Sequence, residues 1–464
     1  MSSNSEPLKV AFIHPDLGIG GAERLVVDAA LAIKTAPNPS EQLNDITIYT
    51  SHCDQDHCFE EVANGEFTLR VYGDFLPTNL AGRFSIVFAF LRQLYLVLKM
   101  ILSGELRRYD LIFIDQLAYC IPLLHLCKRP DARILFYCHF PDKLLAPHNG
   151  TLRSAYRLLF DRLEEWTTGT ADKIVVNSQF TRQTVRKNFK SLQNVPLEVV
   201  YPCVPSTIEL NDSNIQEVSK LVHDSPFFLS INRFERKKHI QLAIQAYARY
   251  IEQTRDSIQK LVISGGYDDR LEENKSYLAE LEQLCDKLHL KRFTRIGENS
   301  EAFPDTAVQV IFLPSISTGL KNALLSKTDM LMYTPSYEHF GIVPLEAMRL
   351  GKLVLADCTG GPLETVVNYF DHRETYTGFT VEADQEKWSD ILELVKGFSD
   401  NEIAQVAERN KQRVENHFSF TAMQKTLCEA IDESEPKVFA YEKSIPLVMA
   451  VLAVAAVAVA RKSD

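Results

Sequence analysis

Two acids separated by seven residues, Glu338 and Glu346, enclose His339, Phe340, Gly341, Ile342, Val343, Pro344 and Leu345. They follow an apolar run at 330–333 that reads as a strand. Pro344 suits the first position of a helix, which puts Glu338 in the preceding loop and Glu346 in the first turn. Gly341, Ile342 and Val343 then offer backbone N–H groups at a helix start to a phosphate, while Glu346 can accept hydrogen bonds from two vicinal ribose hydroxyls. Glu338 is left facing a donor sugar. The helix dipole alone accounts for Glu346 but not for the whole pattern.

Two further clusters point at phosphate. After the strand-like run 227–231 come Arg233, Arg236, Lys237 and Lys238. Preplaced cations stabilise the charge that builds on a leaving diphosphate, although a solvated basic helix start has the same composition. Near the N-terminus, Gly18, Gly20 and Gly21 lie between a strand and an apolar helix, where glycines let backbone N–H groups approach an anion; a plain turn cluster is the alternative. The dinucleotide fingerprint fails here, because Glu23 stands at its third glycine and no acid closes the second strand.

These residues need a scaffold. Strand-like runs at 9–14, 45–50, 111–115, 134–138 and 173–177, then at 227–231, 261–264, 293–296, 308–313, 330–333 and 353–356, alternate with helical stretches. Such alternation means α/β with parallel sheets, and two sheets in tandem, their ligand crevices at the carboxyl ends of the strands. The expected domains are 1–205 and 223–435, with 206–222 as a polar linker and one last helical stretch over 401–433.

Length and composition agree: 464 residues suggest two domains, and 45% hydrophobic with 24% charged residues is globular. A net charge of -11 argues against nucleic acid as a partner. Nine cysteines without a C-x-x-C pair fit reduced thiols. No basic start precedes an apolar run, so no secretory signal is expected. Residues 445–460 are uninterruptedly apolar and as a helix reach ~24 Å against a bilayer core of ~30 Å. The apolar run 84–102 is interrupted by Arg92, Gln93 and Lys99, which suits a membrane-surface helix; a core helix with snorkelling cations is the alternative. His52, Cys53, Asp54, Asp56, His57 and Cys58 crowd one loop rather than forming two ligand pairs, so no metal site is assigned.

The E-x7-E element, the G-G-A-E-R loop, Arg233 with Lys238, and the turn at Gly360, Gly361, Pro362 and Glu364 together resemble the retaining GT-B glycosyltransferases of family 4. Y-C-H-F-P-D at 137–142, N-S-Q-F-T at 177–181 and T-S-H-C at 50–53 are similar to the mannosyltransferases of dolichol-linked oligosaccharide assembly. The likeness spans nearly the whole chain. It implies a GT-B fold, two Rossmann-like domains facing a central cleft, with the C-terminal hydrophobic membrane segment added. Arg233 and Lys238 match the pair holding the donor diphosphate, and Glu346 matches the ribose ligand. Glu338 matches the acid contacting the transferred sugar, Gly20 and Gly21 the loop facing phosphates and acceptor, and His139 a cleft histidine.

The implied reaction uses GDP-mannose without a cofactor, retains anomeric configuration by a front-face route, and adds α-1,3 and then α-1,6 mannose to a dolichyl-diphosphate-linked oligosaccharide. The implied place is the endoplasmic reticulum membrane, with the catalytic domains facing the cytosol. Other glycosyltransferases of the same pathway are possible partners. The alternatives are a transferase acting on another lipid or soluble glycan, and a silent membrane scaffold for such enzymes.

Overall fold

The computed structural model describes residues 7–37, 42–80, 84–145, 151–205, 208–256, 258–297 and 302–437; the apolar segment 445–460 lies outside them. In the first sheet, β1 (Lys9–His14), β2 (Asp45–Thr50), β3 (Thr68–Val71), β4 (Leu111–Asp115), β5 (Arg133–Cys138), β6 (Lys173–Val176) and β7 (Leu197–Val199) pair in the order β3-β2-β1-β4-β5-β6-β7. Every pairing is parallel. Helices cover both faces, so β4 is buried along its whole length, as a continuous apolar run requires.

The second sheet is also seven-stranded and parallel throughout, with β8 (Phe227–Ile231), β9 (Lys260–Gly265), β10 (Arg292–Thr294), β11 (Val310–Pro314), β12 (Met330–Tyr333), β13 (Leu353–Asp357) and β14 (Phe379–Val381), ordered β10-β11-β9-β8-β12-β13-β14. Three strands escaped the sequence reading: β3, β7 and β14. Each closes an edge of its sheet and is three or four residues long, too short for a run of apolar residues to mark it.

The chain divides into two compact units, Met1–Cys203 with Phe420–Asp464, and Val204–Ser419. This differs from the expected division in two places. The stretch read as a linker contains the helix Asp212–Val222, started by the Asn211 side chain and burying Val218, Leu221 and Val222 in the second unit. The last helical stretch is two helices, Asp400–Phe418 and Phe420–Asp432, broken at Ser419 by an extended backbone. The second of them returns to the first unit, where Met423, Leu427, Ala430 and Ile431 join the core beside Val26 and Ala30. Gln424 there donates to the Ala32 carbonyl at 2.9 Å.

The run at 84–102 forms the helix Ser85–Leu102, by length and composition able to cross a membrane, the one such helix among the described residues. Its polar interruptions do not all face water. Arg92 and Gln93 are buried beside Phe90, Leu94, Leu96, Val97 and Met100, and only Lys99 is exposed. Arg92 donates to the Ser51 carbonyl at 3.2 Å and Gln93 to the Leu117 carbonyl at 2.9 Å. Of the two cations that interrupt the run, Arg92 ties this helix to the loop after β2.

Candidate functional site

Each sheet has a switch point beside its first strand, between β1 and β4 and between β8 and β12. A crevice opens outside the carboxyl ends of strands at such a point, because the flanking connections leave in opposite directions. The chemistry-bearing residues of each unit collect there.

In the second unit β8 runs into Asn232 and Arg233, and β12 into Thr334. Asn232 donates to the Thr334 hydroxyl at 3.4 Å, and that hydroxyl donates to the Lys238 carbonyl at 2.6 Å. The cationic turn is thereby fastened to β12. Lys238 is mostly buried and donates to Glu338 Oε2 at 2.5 Å. Burial pushes the Glu338 carboxyl up, but the charge and hydrogen bond of Lys238 outweigh it and hold the acid below its ordinary range. Tyr333, buried beside this pair, has its phenol raised well above its usual value by burial and the nearby Glu338 charge. Arg233 is 61% exposed and paired at 3.1 Å with Glu235.

The loop bearing Glu338 is shaped by the glycine turn at 360–361. Gly360 adopts φ +71°, and a Cβ there would lie 2.3 Å from the Glu338 carbonyl oxygen. Gly361 N–H donates to that same oxygen at 2.8 Å. Gly341 then opens the helix Ile342–Arg349. Ile342 and Val343 are its first two residues, so Pro344 is the third rather than the first, and Glu346 falls past the first turn. Gly341, Ile342 and Val343 keep their N–H groups outside the helical ladder, as expected of a helix start. Glu346 Oε1 accepts from Lys321 at 2.7 Å, while Oε2 is buried without a hydrogen-bond partner. An unsatisfied carboxylate oxygen suits a ligand hydroxyl.

In the first unit β1, β4 and β5 are neighbours, and their ends carry His14, Asp115 and, one residue beyond β5, His139. Asp115 is fully buried; His14 Nδ1–H donates to its Oδ1 at 2.8 Å, and His139 Nε2–H donates to its Oδ2 at 2.9 Å. Burial alone would lower the His14 pKa, but the Asp115 charge and hydrogen bond, with Glu23, raise it to about 10. The Asp115 carboxyl is held below its usual range although burial opposes this, because both imidazoles stabilise its charge. Gly20 precedes the helix Gly21–Lys34 in ordinary extended backbone.

The structure thus brings Arg233, Lys238, Glu338, Gly341, Ile342, Val343 and Glu346 to one pole of the second sheet, and Gly20, Gly21 and His139 to one pole of the first. Sequence reasoning missed His14, Asp115, Lys321 and Gly265. Gly265 stands at φ +143° with Asn232 O only 2.0 Å from where its Cβ would be, so β9 closes against the start of the cationic turn. The Ser264, Gly265, Gly266 sequence ending a strand carried that signal; Lys321, inside a helix, carried none. Among the described residues no group of three or more His, Cys, Asp or Glu side chains is arranged to hold a metal ion.

Comparison with known proteins fits this division. A profile of glycosyl transferases group 1 matches residues 211–417, and one of glycosyltransferase family 4 matches residues 19–207. The chain is 48% identical to an alpha-1,3/1,6-mannosyltransferase ALG2 of Candida albicans over 93% of this chain and 99% of that one. It is 47% identical to the protein of that name from Saccharomyces cerevisiae, over 93% and 87%. Among solved structures, a sucrose-phosphate synthase from Thermosynechococcus elongatus superposes with a TM-score of 0.69 at 17% identity, covering 92% of this chain and 98% of that one. The catalytic domain of starch synthase IV from Arabidopsis thaliana, bound to ADP and acarbose, gives 0.65 at 15% identity, over 92% and 100%. The fold is therefore GT-B, and the chain belongs to the ALG2 family of alpha-1,3/1,6-mannosyltransferases within glycosyltransferase family 4.

Proposed function

We propose that the donor is GDP-mannose and that the acceptor is a dolichyl-diphosphate-linked oligosaccharide, Man1GlcNAc2 first, extended by an α-1,3 and then an α-1,6 mannose. The observation that carries this reading is the Lys238–Glu338 pair at the switch point of the second sheet, in a mannosyltransferase family. Arg233 and Lys238 hold the donor diphosphate, and the N–H groups of Gly341, Ile342 and Val343 add hydrogen bonds to it. Glu346 Oε2 accepts from the ribose. Glu338 accepts from hydroxyls of the transferred mannose, and His139 contacts a sugar hydroxyl.

As the bond from C1 to the phosphate oxygen breaks, GDP leaves with the electron pair, and the two cations stabilise the charge it gains. The acceptor oxygen bonds to C1 from the face the GDP leaves, and its proton passes to the departing phosphate. Retention follows without a covalent intermediate on the protein.

A lipid acceptor gives a use to apolar residues at the surface of the first unit. Phe84 and Leu102, at the two ends of the helix Ser85–Leu102, are exposed. In this reading that helix lies on the cytosolic leaflet of the endoplasmic reticulum and 445–460 anchors the chain. The test is mass spectrometry of products after incubating the full chain with GDP-mannose and a synthetic lipid diphosphate bearing chitobiose and one mannose. Gain of one and then two hexoses supports the reading; an unchanged acceptor with folded protein sinks it.

A further inference from the structure

Four ionisable groups at the pole of the first sheet form a line whose inner members sequence reading had not singled out. Glu23, in the first turn of the helix Gly21–Lys34, faces His14 Nε2 at 3.8 Å, within ion-pair range but too long for a hydrogen bond. His14 Nδ1–H donates to Asp115, and Asp115 also accepts from His139 Nε2–H. His14 and Asp115 end neighbouring strands and His139 follows the end of a third, so the sheet itself sets their spacing. Glu23 reaches its place over Gly20, where a Cβ would lie 2.2 Å from its Oε2. A side chain at the first glycine of the G-G-A-E-R loop would thus displace this carboxylate from its place.

A carboxylate at zero exposure is costly unless its hydrogen bonds and charge are met. Here the imidazolium of His14 meets the charge, which leaves Asp115 able to act on His139 as an acceptor only. An imidazole that donates through one nitrogen to a carboxylate keeps its lone pair on the other, and its ring plane is fixed by the same bond. His139 remains partly exposed, with a side-chain exposure of 21% against 1% for Asp115.

We propose that Asp115 is a positioning residue that turns His139 Nε2 inward and so presents Nδ1 as the acceptor of a sugar hydroxyl, with His14 and Glu23 completing the array. This rests on the reading of His139 as a sugar-contacting residue. The hydroxyl belongs either to the donor mannose or to the acceptor glycan, two sources of one chemistry.

The test uses the full chain labelled with ¹⁵N-histidine in detergent, the His139 resonances being identified by their loss in His139→Gln. The expected result for the unaltered chain is a proton on Nε2 and none on Nδ1. Asp115→Asn keeps the shape but can offer its amide N–H to His139, which moves the ring proton to Nδ1. We expect that flip together with a fall in kcat on the order of 100-fold. A KM that changes for GDP-mannose alone assigns the hydroxyl to the donor, and one that changes for the lipid acceptor alone assigns it to the acceptor. His14→Gln, which still donates to Asp115, should keep the proton on Nε2 and lose less activity. A proton on Nδ1 of the unaltered chain, in a neutral or a doubly protonated ring, overturns the proposal even if no variant folds. So does an Asp115→Asn protein of normal kcat. If the unaltered chain transfers no mannose from GDP-mannose, the functional reading fails, while the nitrogen spectra still decide the array.

Discussion

Both sheets have seven parallel strands and a switch point beside their first strand, yet the poles at those points are built differently. In the second unit the charges are part-exposed: Arg233 is largely exposed, Lys238 and Glu338 pair while mostly buried, and Glu346 leaves one oxygen without a hydrogen-bond partner. In the first unit the charges are sealed: His14 and Asp115 are buried and hydrogen-bond each other, while His14 Nε2 faces the Glu23 carboxylate at 3.8 Å. A pole meant to receive a diphosphate must have cations to spare, because each new hydrogen bond replaces one to water or to a nearby acid. A pole that orients one ring needs its charges neutralised before any ligand arrives, so that nothing rearranges during reaction. The contrast between a part-exposed and a sealed pole can be broken at either end.

The largest effect is expected from Lys238→Ala, which removes a cation from the open pole and strands Glu338. Activity, read as kcat/KM for GDP-mannose, should fall about 100- to 1,000-fold, and the melting temperature should fall too because the Glu338 carboxylate loses its partner. Retained activity would mean the open pole does not hold the donor. Glu346→Ala should raise KM for GDP-mannose roughly 10- to 100-fold, since a hydrogen bond to a charged group contributes about 1.5–3 kcal/mol. An unchanged KM with a lowered kcat would contradict a ribose role.

Gly360→Ala forces a Cβ into the Glu338 carbonyl and a side chain into a left-handed backbone, so a loss of about 1–3 kcal/mol in stability is expected by denaturant titration, with activity falling too. Arg92→Leu sharpens the comparison from the sealed unit. It leaves the Ser51 carbonyl without its partner, and should cost about 1–3 kcal/mol, while GDP binding measured by calorimetry stays as it was.

The smallest effect is in pH. The folded pKa of His14 is raised from 6.5 to about 10, so its contribution to stability is fully present below 6.5 and is lost as pH rises through 10. The melting temperature of the unaltered chain should therefore fall more steeply between those limits than that of His14→Gln, by a few degrees or about that. Parallel curves would place the His14 charge elsewhere.

The sequence by itself determined a good deal. Apolar runs of five or six residues marked the central strands, because a parallel strand covered on both faces leaves no room for polar side chains. The acids of E-x7-E, the cations after β8 and the glycine turn at 360–361 were legible because loop chemistry at strand ends is local in sequence. Local pattern placed Pro344 two positions early, since the left-handed Gly341 lets the helix start sooner than proline marks it.

What only the tertiary structure decided were the contacts between distant segments. His14 and Asp115 are 101 residues apart and meet because β1 and β4 pair. Arg92 looked like a surface interruption in an apolar helix, and its direction was fixed by a carbonyl 41 residues earlier. The return of Phe420–Asp432 to the first unit was likewise invisible, because an amphipathic helix states that it has a buried face but not whose core covers it.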